Sequence, residues 1–463
     1  MKLLSLAVHF GMALAAVAPL ACGADWPRFR GPNGSGISGD STPAPMQWSS
    51  DKNIRWKKDL PGRGVSSPIV VGNRVLVTCY SGYGLSRDED GKLDDLKRHL
   101  LCFDRASGTE LWQATLPVEM PEDPYAGAGV PSHGYASHTP ASDGQRVFAF
   151  FGKSGVIAFD LDGKQLWKKS VGKESGRMRW GSAASPIVHG DLVIVNASDE
   201  ASALVALDKN TGEEKWRAQA DGMSNSWATP VIASSAGGDE IVLGVPFELW
   251  GFNPANGKLK WFSKGGEDES TSSSTVTADG IVYTFGGRGG NAIAVRAGGK
   301  GDVAKQVVWE SRAAGRFPTP VVFEGHIYSV NRGVASCYNA KTGERVYERR
   351  LASGEAVAED AAGGGGPGPG GFGGRGPGGR GGFGGGGRGM GDDYPSPVIA
   401  AGKLYYTSKS GKFYVVDAKP EYNLLSTNDL STDTSGFDGT PAISDGEIFV
   451  RSNAALYCIS DKQ

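Results

Sequence analysis

The chain has 463 residues, of which 39% are hydrophobic, so it can bury a large core. This length permits two or three domains, although one large all-β domain of this size is also common. The 48 Lys and Arg residues and 50 Asp and Glu residues give a formal net charge of −2. This balance gives no electrostatic reason to expect nucleic acid or an anionic membrane as a partner.

Residues 1–24 are typical of an export signal. Lys2 provides a positive charge, residues 3–20 are mostly apolar, and Cys22-Gly23-Ala24 offers small side chains at a cleavage site. We expect cleavage near Ala24, which leaves no transmembrane segment and predicts a periplasmic or cell-envelope location.

Two alternatives to a cleaved signal exist. The segment could remain as an anchor helix, but Pro19 and Gly23 end its apolar stretch early. Alternatively, Leu20-Ala21-Cys22 resembles a lipoprotein box, in which Cys22 would carry a lipid anchor. We favour cleavage without an anchor.

Residues 25–52 form an extended segment before the repeats begin. The segment opens with Trp-Pro-Arg-Phe-Arg-Gly-Pro at residues 26–32. It is followed at residues 53–57 by Asn-Ile-Arg-Trp-Lys, which looks like a Trp-containing strand that lacks a preceding hairpin.

One hairpin motif recurs along the rest of the chain. Its clearest copies are LLCFDRASGTELW (100–112), LVALDKNTGEEKW (204–216) and LWGFNPANGKLKW (249–261). Alternating apolar residues predict a strand, and Asp208 or Asn253 can accept hydrogen bonds from turn N–H groups. Gly212 or Gly257 permits a positive φ in the turn, and the Trp begins the partner strand.

A second motif, Ser or Thr followed by Pro and an apolar strand, precedes each hairpin. The Pro positions are 68, 140, 186, 230, 320, 397 and 441, and Thr275 takes the Pro place in one copy. Most successive spacings are 44–46 residues, the length of a four-stranded propeller blade.

These repeats predict an all-β fold, an eight-bladed β-propeller of four-stranded antiparallel blades over residues 53–463. The eighth repeat ends at Ile459 after its third strand. We therefore expect the strand around Trp56 to complete the last blade, which would close the ring and remove exposed sheet edges.

Four cysteines remain after the signal. Cys102, Cys337 and Cys458 occupy one repeat position, where other copies have Ala, and this position suits a small buried side chain. Cys79 and Cys102 could instead pair across neighbouring strands in an oxidising compartment. The sequence has no CxxC motif and no Cys/His cluster with metal-ligand spacing.

The Asp-x-x-Thr-Gly-x-x-x-Trp hairpin resembles the repeat of the bacterial quinoprotein-like propellers, which is named for pyrroloquinoline quinone (PQQ). The resemblance covers the whole mature chain, and the family includes the propeller subunit of the outer-membrane protein assembly machinery, assembly factor B. The opening residues 26–32 also resemble the start of a large group of exported members. These residues build blades, so the resemblance predicts fold more strongly than function.

Strand order assigns the insertions to one face. The Thr-Gly turns lie on one face, and the tips between second and third strands share the other face with the connections between blades. Residues 80–99, 117–134 and 352–394 fall on this second face, the channel mouth, which we take as the functional surface. Residues 354–391 are Gly-rich and are expected to be disordered. Their Arg-Gly-Gly runs occur in RNA-binding tails, but export and the net charge disfavour that function.

Polar and aromatic residues at the mouth are the candidate ligand-binding set. A ring of cationic groups with two Trp faces suits an anionic or aromatic ligand. Alternatively, these are solvated loop charges, the two Trp side chains fill the channel, and the histidine is part of its wall. The candidates are His138, Lys153, Arg179, Trp180, Trp227, Glu248, Arg288, Arg332 and Arg451.

Two functions are compatible with this pattern. The first is a non-catalytic binding or scaffold module, a monomer or a subunit of a complex, that recognises a protein, peptide or glycan of the envelope. The second is a PQQ-dependent dehydrogenase, in which the resemblance implies a quinone and calcium in the mouth beneath a pair of adjacent cysteines. Because the chain has no Cys-Cys pair and no CxxCH motif, we favour the binding module and expect no cofactor or metal and no catalytic residues.

Overall fold

The computed structural model describes residues 24–86, 91–127, 129–287, 290–313, 315–355 and 393–462. Within these residues, eight antiparallel sheets follow one another along the chain. Each has four strands that pair in chain order, apart from the closing sheet and one short addition. The predicted eight-bladed all-β propeller is therefore confirmed. The predicted export signal and the Gly-rich insertion lie almost entirely outside the described residues.

The strands are numbered in chain order, and each blade runs from the channel outwards. Blade one comprises β2 (Ile69–Val71), β3 (Arg74–Ser81), β4 (Lys97–Asp104) and β5 (Glu110–Pro117), and blade two comprises β6 (Ala141–Ser142), β7 (Arg146–Phe150), β8 (Val156–Asp160) and β9 (Gln165–Lys169). Blade three comprises β10 (Ile187–His189), β11 (Leu192–Ala197), β12 (Ala203–Asp208) and β13 (Glu214–Gln219), and blade four comprises β14 (Val231–Ser235), β15 (Gly238–Val245), β16 (Glu248–Phe252) and β17 (Leu259–Lys264). Blade five comprises β18 (Val276–Ala278), β19 (Ile281–Gly286), β20 (Asn291–Arg296) and β22 (Val307–Arg312), and blade six comprises β23 (Val321–Phe323), β24 (His326–Asn331), β25 (Val334–Asn339) and β26 (Arg345–Arg350). Blade seven comprises β27 (Val398–Ala400), β28 (Lys403–Thr407), β29 (Lys412–Asp417) and β30 (Leu424–Asp429), and blade eight comprises β31 (Ala442–Ser444), β32 (Glu447–Arg451), β33 (Ala455–Ile459) and β1 (Ile54–Asp59).

Helices in the described ranges are short. They are α1 (Val130–His133), α2 (Ser198–Ala201) and the 3₁₀ turns Pro32–Gly34, Leu93–Asp95, Gly152–Ser154, Asp221–Met223 and Ala304–Gln306. The two-residue strand β21 (Gly301–Asp302) pairs parallel to the outer edge of blade four. In the described part of the chain, no helix has the length and apolarity that crossing a membrane requires.

An inner ring of hydrogen bonds joins all eight blades. The Ser or Thr that precedes each innermost strand donates its backbone N–H to the hydroxyl oxygen of the equivalent residue in the next blade, at 2.9–3.0 Å. The last bond runs from Thr440 back to Ser67, so the ring is closed. We call this set the hydroxyl ring; its members are Ser67, Thr139, Ser185, Thr229, Ser274, Thr319, Ser396 and Thr440.

The hydroxyl ring explains the Ser/Thr-Pro motif. A residue before proline is held in an extended conformation, which favours a bond reaching sideways to the next blade. The Pro lacks an N–H and is tolerated where an innermost strand presents its free edge to the channel. The motif therefore encodes contact between blades as well as the start of a strand.

An outer layer of Trp side chains joins the same blades at their rims. The Trp56 indole lies against Gly108 in the turn of the next blade, where an added Cβ would come within 2.6 Å of the ring. Its Nε1 donates to the Arg105 carbonyl oxygen at 2.9 Å. The same pairing of Trp and Gly recurs at Trp112 with Gly163, Trp167 with Gly212, Trp216 with Gly257 and Trp309 with Gly343. Only Gly fits there, because the site combines a positive φ with an aromatic face.

The seam between the chain ends closes as predicted. The strand β1 pairs antiparallel with β33 as the outermost strand of blade eight, and Trp56 lies opposite Cys458. The Glu447 carboxylate is buried and forms ion pairs with Arg55 and with Arg105 of blade one, the latter at 2.6 Å. Blades eight and one are therefore joined by backbone, aromatic and ionic contacts.

The N-terminal segment crosses the channel before it reaches the seam. Trp26 exchanges two backbone hydrogen bonds with Val70 of blade one, both 2.9 Å. Arg30 is fully buried, and its guanidinium donates to the carbonyl oxygens of Thr319 and Pro320 at 2.6 Å each. Burial lowers the Arg30 pKa to about 9. Ile37 then pairs with Ile399 of blade seven. The segment thus closes the end of the channel opposite the mouth.

The four cysteines after residue 24 are buried and free, and the small-residue pattern predicts this burial for Cys102, Cys337 and Cys458. Cys79 lies opposite His99, whereas Cys102 lies opposite Leu76 and Trp112, so the two thiols are not cross-strand partners. Cys102, Cys337 and Cys458 each face the Trp or Tyr of the outermost strand. The thiol fills space beneath an aromatic ring, and burial raises its pKa.

The hydroxyl ring makes a specific prediction at Thr139. In Thr139→Val the side chain keeps its shape but can no longer accept the Ser67 N–H. We expect the free energy of unfolding to fall by about 1–3 kcal/mol, because a buried donor loses its partner. The control Thr139→Ser keeps the oxygen and should cost under about 1 kcal/mol for its missing methyl group. Urea unfolding measures both; equal stability of the two variants would show that the ring bond is not stabilising.

Candidate functional site

The mouth of the channel opens into a cavity of about 410 Å³. All eight members of the hydroxyl ring line it. The residue two positions before each of them lines it as well, because alternate residues of an extended chain face the same way. This second tier consists of Val65, Ser137, Ala183, Trp227, Ser272, Phe317, Tyr394 and Asp438.

Two aromatic pairs stand on the cavity wall. Trp180 and Trp227, at blades three and four, are stacked with ring centroids 5.3 Å apart. Phe317 and Tyr394, at blades six and seven, lie three blades further round, with centroids 4.7 Å apart. The Arg316 guanidinium is 4.7 Å from the Phe317 ring centroid. The cavity therefore has two apolar platforms on separate sides.

Hydrogen bonds and close packing fix the position of Trp180 and Trp227. His133 Nε2 donates to the Trp180 carbonyl oxygen at 2.6 Å, and Trp227 Nε1 donates to the Gly181 carbonyl oxygen at 2.7 Å. Gly129 packs so closely against Trp180 that an added Cβ would lie 2.3 Å from the Trp180 Cβ. These contacts preorganise the platform, since the rings need no rearrangement to meet a ligand.

One aromatic residue of the crossing segment closes the floor of the cavity, and two charged residues lie in its wall. Phe29 of the crossing segment reaches the lining from the closed end. Among the lining residues, Arg316 and Asp438 bring one positive and one negative charge. The Asp438 carboxylate lies 3.3 Å from Lys409 Nζ and accepts from Asn453 Nδ2 at 3.0 Å.

A buried polar cluster lies behind the Trp pair, around a cavity of about 30 Å³, which is large enough to hold a water molecule. Asp199 Oδ2 accepts from Trp227 Nε1 at 3.3 Å, and Glu200 is its chain neighbour. Asp199 Oδ1 and Glu200 Oε2 have no hydrogen-bond partner among the described residues. Burial raises the pKa of Asp199 to about 7, and burial together with the Asp199 charge raises that of Glu200 to about 8.

Trp180 and Trp227 are the two predicted site residues that line the channel cavity. Three others are buried in the wall and do not line it, so they do not join the candidate binding site. Lys153 Nζ lies 2.9 Å from Asp123 Oδ2, and Arg451 Nη1 donates to the Thr78 carbonyl oxygen at 2.7 Å. His138 Nε2 lies 2.9 Å from Ser182 Oγ, and burial lowers the His138 pKa to about 3. The contact between His138 and Ser182 agrees with the alternative prediction that the histidine is part of the channel wall.

The remaining predicted residues are spread around the rim. Arg179 and Arg332 are exposed, and neither lines the cavity. Glu248 is half-buried and accepts from Trp250 Nε1 at 2.5 Å, away from the cavity. Arg288 lies outside the described residues. The predicted ring of cationic groups therefore does not form a single site among the described residues.

Sequence reasoning missed Phe317, Tyr394, Asp438 and the hydroxyl ring as parts of the site. The signal was present, because each second-tier residue stands two positions before the Ser or Thr of the repeat. Aligning that position across the blades would have grouped Trp227 with Phe317 and Tyr394. The prediction rests instead on polar residues of the mouth loops, from which an anionic or aromatic ligand is inferred.

By its fold, the protein is an eight-bladed all-β propeller that is closed by its N-terminal strand. The sequence model described as outer membrane protein assembly factor BamB matches residues 97–349, more than half of the chain, so the chain belongs to that family. No curated protein matched the chain.

Solved structures share the architecture. The chain is similar to BamB from Moraxella catarrhalis, with 12% identity and a TM-score of 0.57 over 89% of this chain and 98% of that one. It is also similar to a europium-containing methanol dehydrogenase, with 13% identity and a TM-score of 0.62 over 94% and 98%. A computationally designed protein, Ika8, matches with 11% identity and a TM-score of 0.54 over 87% and 98%. At such identities these likenesses show the fold alone.

The buried carboxyls predict how stability depends on pH. Their pKa values are raised in the folded state above the ordinary 3.8 and 4.5, so the folded protein retains protons that the unfolded chain has lost. Stability should therefore fall as pH rises from about 4 to about 8 and level off above that. The double variant Asp199→Asn/Glu200→Gln should lose most of this slope in thermal unfolding, whereas the exposed control Glu213→Gln should keep it. An unchanged slope in the double variant would contradict the assignment.

Proposed function

We propose that the protein is an exported, non-catalytic propeller that serves as a binding or scaffold module in the cell envelope. It recognises a protein, peptide or glycan at the channel mouth, alone or as a subunit of a complex. The family description, an outer-membrane assembly factor, supports an envelope protein as partner. Export rests on the signal-like residues 1–24, and the net charge of −2 argues against nucleic acid.

The observation that carries the proposal is the preformed cavity at the mouth. Its 410 Å³ fall within the size range of ligand pockets, about 300–1,000 Å³. Its aromatic platforms, Trp180 with Trp227 and Phe317 with Tyr394, offer apolar area, and the hydroxyl ring offers directed polar contacts. Rigid aromatic anchors beside a few polar groups are typical of recognition sites.

A quinoprotein dehydrogenase is the second candidate function. The aromatic wall and Arg316 favour it, because a planar anionic quinone could pack there. The rest of the lining does not fit a quinone held on calcium. Among the described lining residues, Asp438 is the one that carries a carboxylate. The described residues contain no group of three or more His, Cys, Asp or Glu side chains arranged to hold a metal ion. Calcium prefers six to eight oxygen ligands.

A capture experiment tests the binding function. Wild-type protein, Trp180→Ala and Leu111→Ala are used as baits in envelope extract with quantitative mass spectrometry. Leu111 is an exposed apolar residue on β5, the blade-one strand that begins after the Ser107-Gly108 turn, away from the mouth. We expect a partner whose capture falls about tenfold or more in Trp180→Ala, the usual cost of an aromatic anchor, and is unchanged in Leu111→Ala. Equal capture by all three baits would contradict a mouth-directed function.

A spectroscopic assay decides between the two candidates. Purified protein incubated with PQQ and calcium should show no stoichiometric quinone absorbance and no dye reduction with alcohols or sugars, since the calcium ligands are lacking in the described lining. Dye reduction at enzyme-like rates, on the order of one per second or faster, would establish the dehydrogenase instead.

A further inference from the structure

The hydroxyl ring leaves eight O–H donors on the cavity wall. Each ring oxygen accepts a backbone N–H from the previous blade, and none of the eight hydroxyls donates a hydrogen bond to another described residue. A hydroxyl has one proton to donate and two lone pairs to accept with. The ring therefore offers a belt of donors to an occupant of the channel.

The aromatic pairs limit the shape of that occupant. Trp180 with Trp227 and Phe317 with Tyr394 stand just above the belt, since Trp227, Phe317 and Tyr394 precede ring members by two residues. A ligand between them must present an apolar face to a ring while it directs hydrogen-bond acceptors towards the belt. Pyranose sugars have this character, because their axial C–H groups form apolar faces and their hydroxyls radiate from the rim.

The charge of the lining points to a neutral ligand. The described lining residues include one cation, Arg316, and one anion, Asp438, whose carboxylate lies 3.3 Å from Lys409 Nζ. His133 also lines it, and burial lowers the His133 pKa, which favours the uncharged imidazole. A multiply charged ligand would meet at most one uncompensated charge among these groups.

Size and enclosure limit the occupant further. A volume of 410 Å³ far exceeds the roughly 10–15 Å³ that one water needs, so a bare ion would leave most of the cavity to solvent. It lies near the lower end of the range for small-ligand pockets. Because the crossing segment with Phe29 closes the far end, a chain cannot thread through the channel.

We propose that the channel cavity binds a neutral carbohydrate of one or two pyranose rings. This deepens the proposed binding function and rests on it. One sugar face packs on the Phe317 and Tyr394 pair, and sugar oxygens accept hydrogen bonds from the hydroxyl ring. A peptide fits less well, because its backbone does not combine a flat apolar face with hydroxyls along the rim of that face.

Titrations with defined disaccharides test the inference. The purified full chain is titrated with maltose, cellobiose, diacetylchitobiose and digalacturonate, followed by intrinsic Trp fluorescence and calorimetry. We expect at least one neutral disaccharide to bind with one-to-one stoichiometry and digalacturonate to bind more weakly. Saturation-transfer NMR should show that the sugar C–H protons contact the protein.

Two matched Phe variants locate the binding. Phe317→Ala removes a cavity platform and should weaken binding about tenfold. Phe247→Ala removes an exposed Phe at the turn between β15 and β16 and should leave binding unchanged. The inference is overturned if no neutral disaccharide binds at tens of millimolar, or if Phe317→Ala binds as tightly as wild type. Binding of a proline-rich control peptide in place of any sugar would overturn it as well.

The capture experiment separates this inference from the function on which it rests. If Trp180-dependent capture of a partner persists while every sugar fails to bind, the carbohydrate inference is wrong and the binding function stands. If neither capture nor sugar binding depends on the cavity, both are wrong.

Discussion

The closed ring of hydrogen bonds between hydroxyls and backbone N–H groups is the constraint on which the structure depends. One N–H per blade reaches the side chain of the next, and the eighth bond returns to the first residue. Each bond is modest alone, about 1 kcal/mol net, but a closed cycle leaves no terminal blade with an unpaired group. The ring also fixes the channel wall, because the residues that hold the blades together are the residues that face the cavity.

The hairpin motif repeats because each copy completes its neighbour. The outermost Trp of one blade covers the turn glycine of the next, as Trp56 covers Gly108, and the innermost Ser or Thr receives the N–H of the blade before. A single blade would expose both faces and both edges, so stability requires repetition until the chain ends meet. Trp56 and Glu447 stabilise the junction between the chain ends, because both belong to blade eight and contact Arg105 of blade one.

The sequence predicted the fold almost completely, including the blade number and the closing strand, because Gly, Trp and Ser/Thr-Pro recur at positions with fixed physical roles. The site was less predictable. The sequence places Arg451 and Lys153 among the loop charges, yet both are buried with partners on neighbouring segments, and a single sequence does not reveal such distant pairs. The course of residues 24–52 across the channel was equally hidden, because it contains no repeat to align.

The same eight residues hold the blades together and line the cavity, so hydrogen exchange at their backbone amides tests both roles most directly. Native-state hydrogen exchange of Ser67, Thr139, Ser185, Thr229, Ser274, Thr319, Ser396 and Thr440 would report whether the ring opens as one unit. We predict strong protection at all eight, with rates that agree within about tenfold. Fast exchange at Thr440 and Ser67, with slow exchange at the other six, would contradict a closed ring and with it the preformed cavity wall.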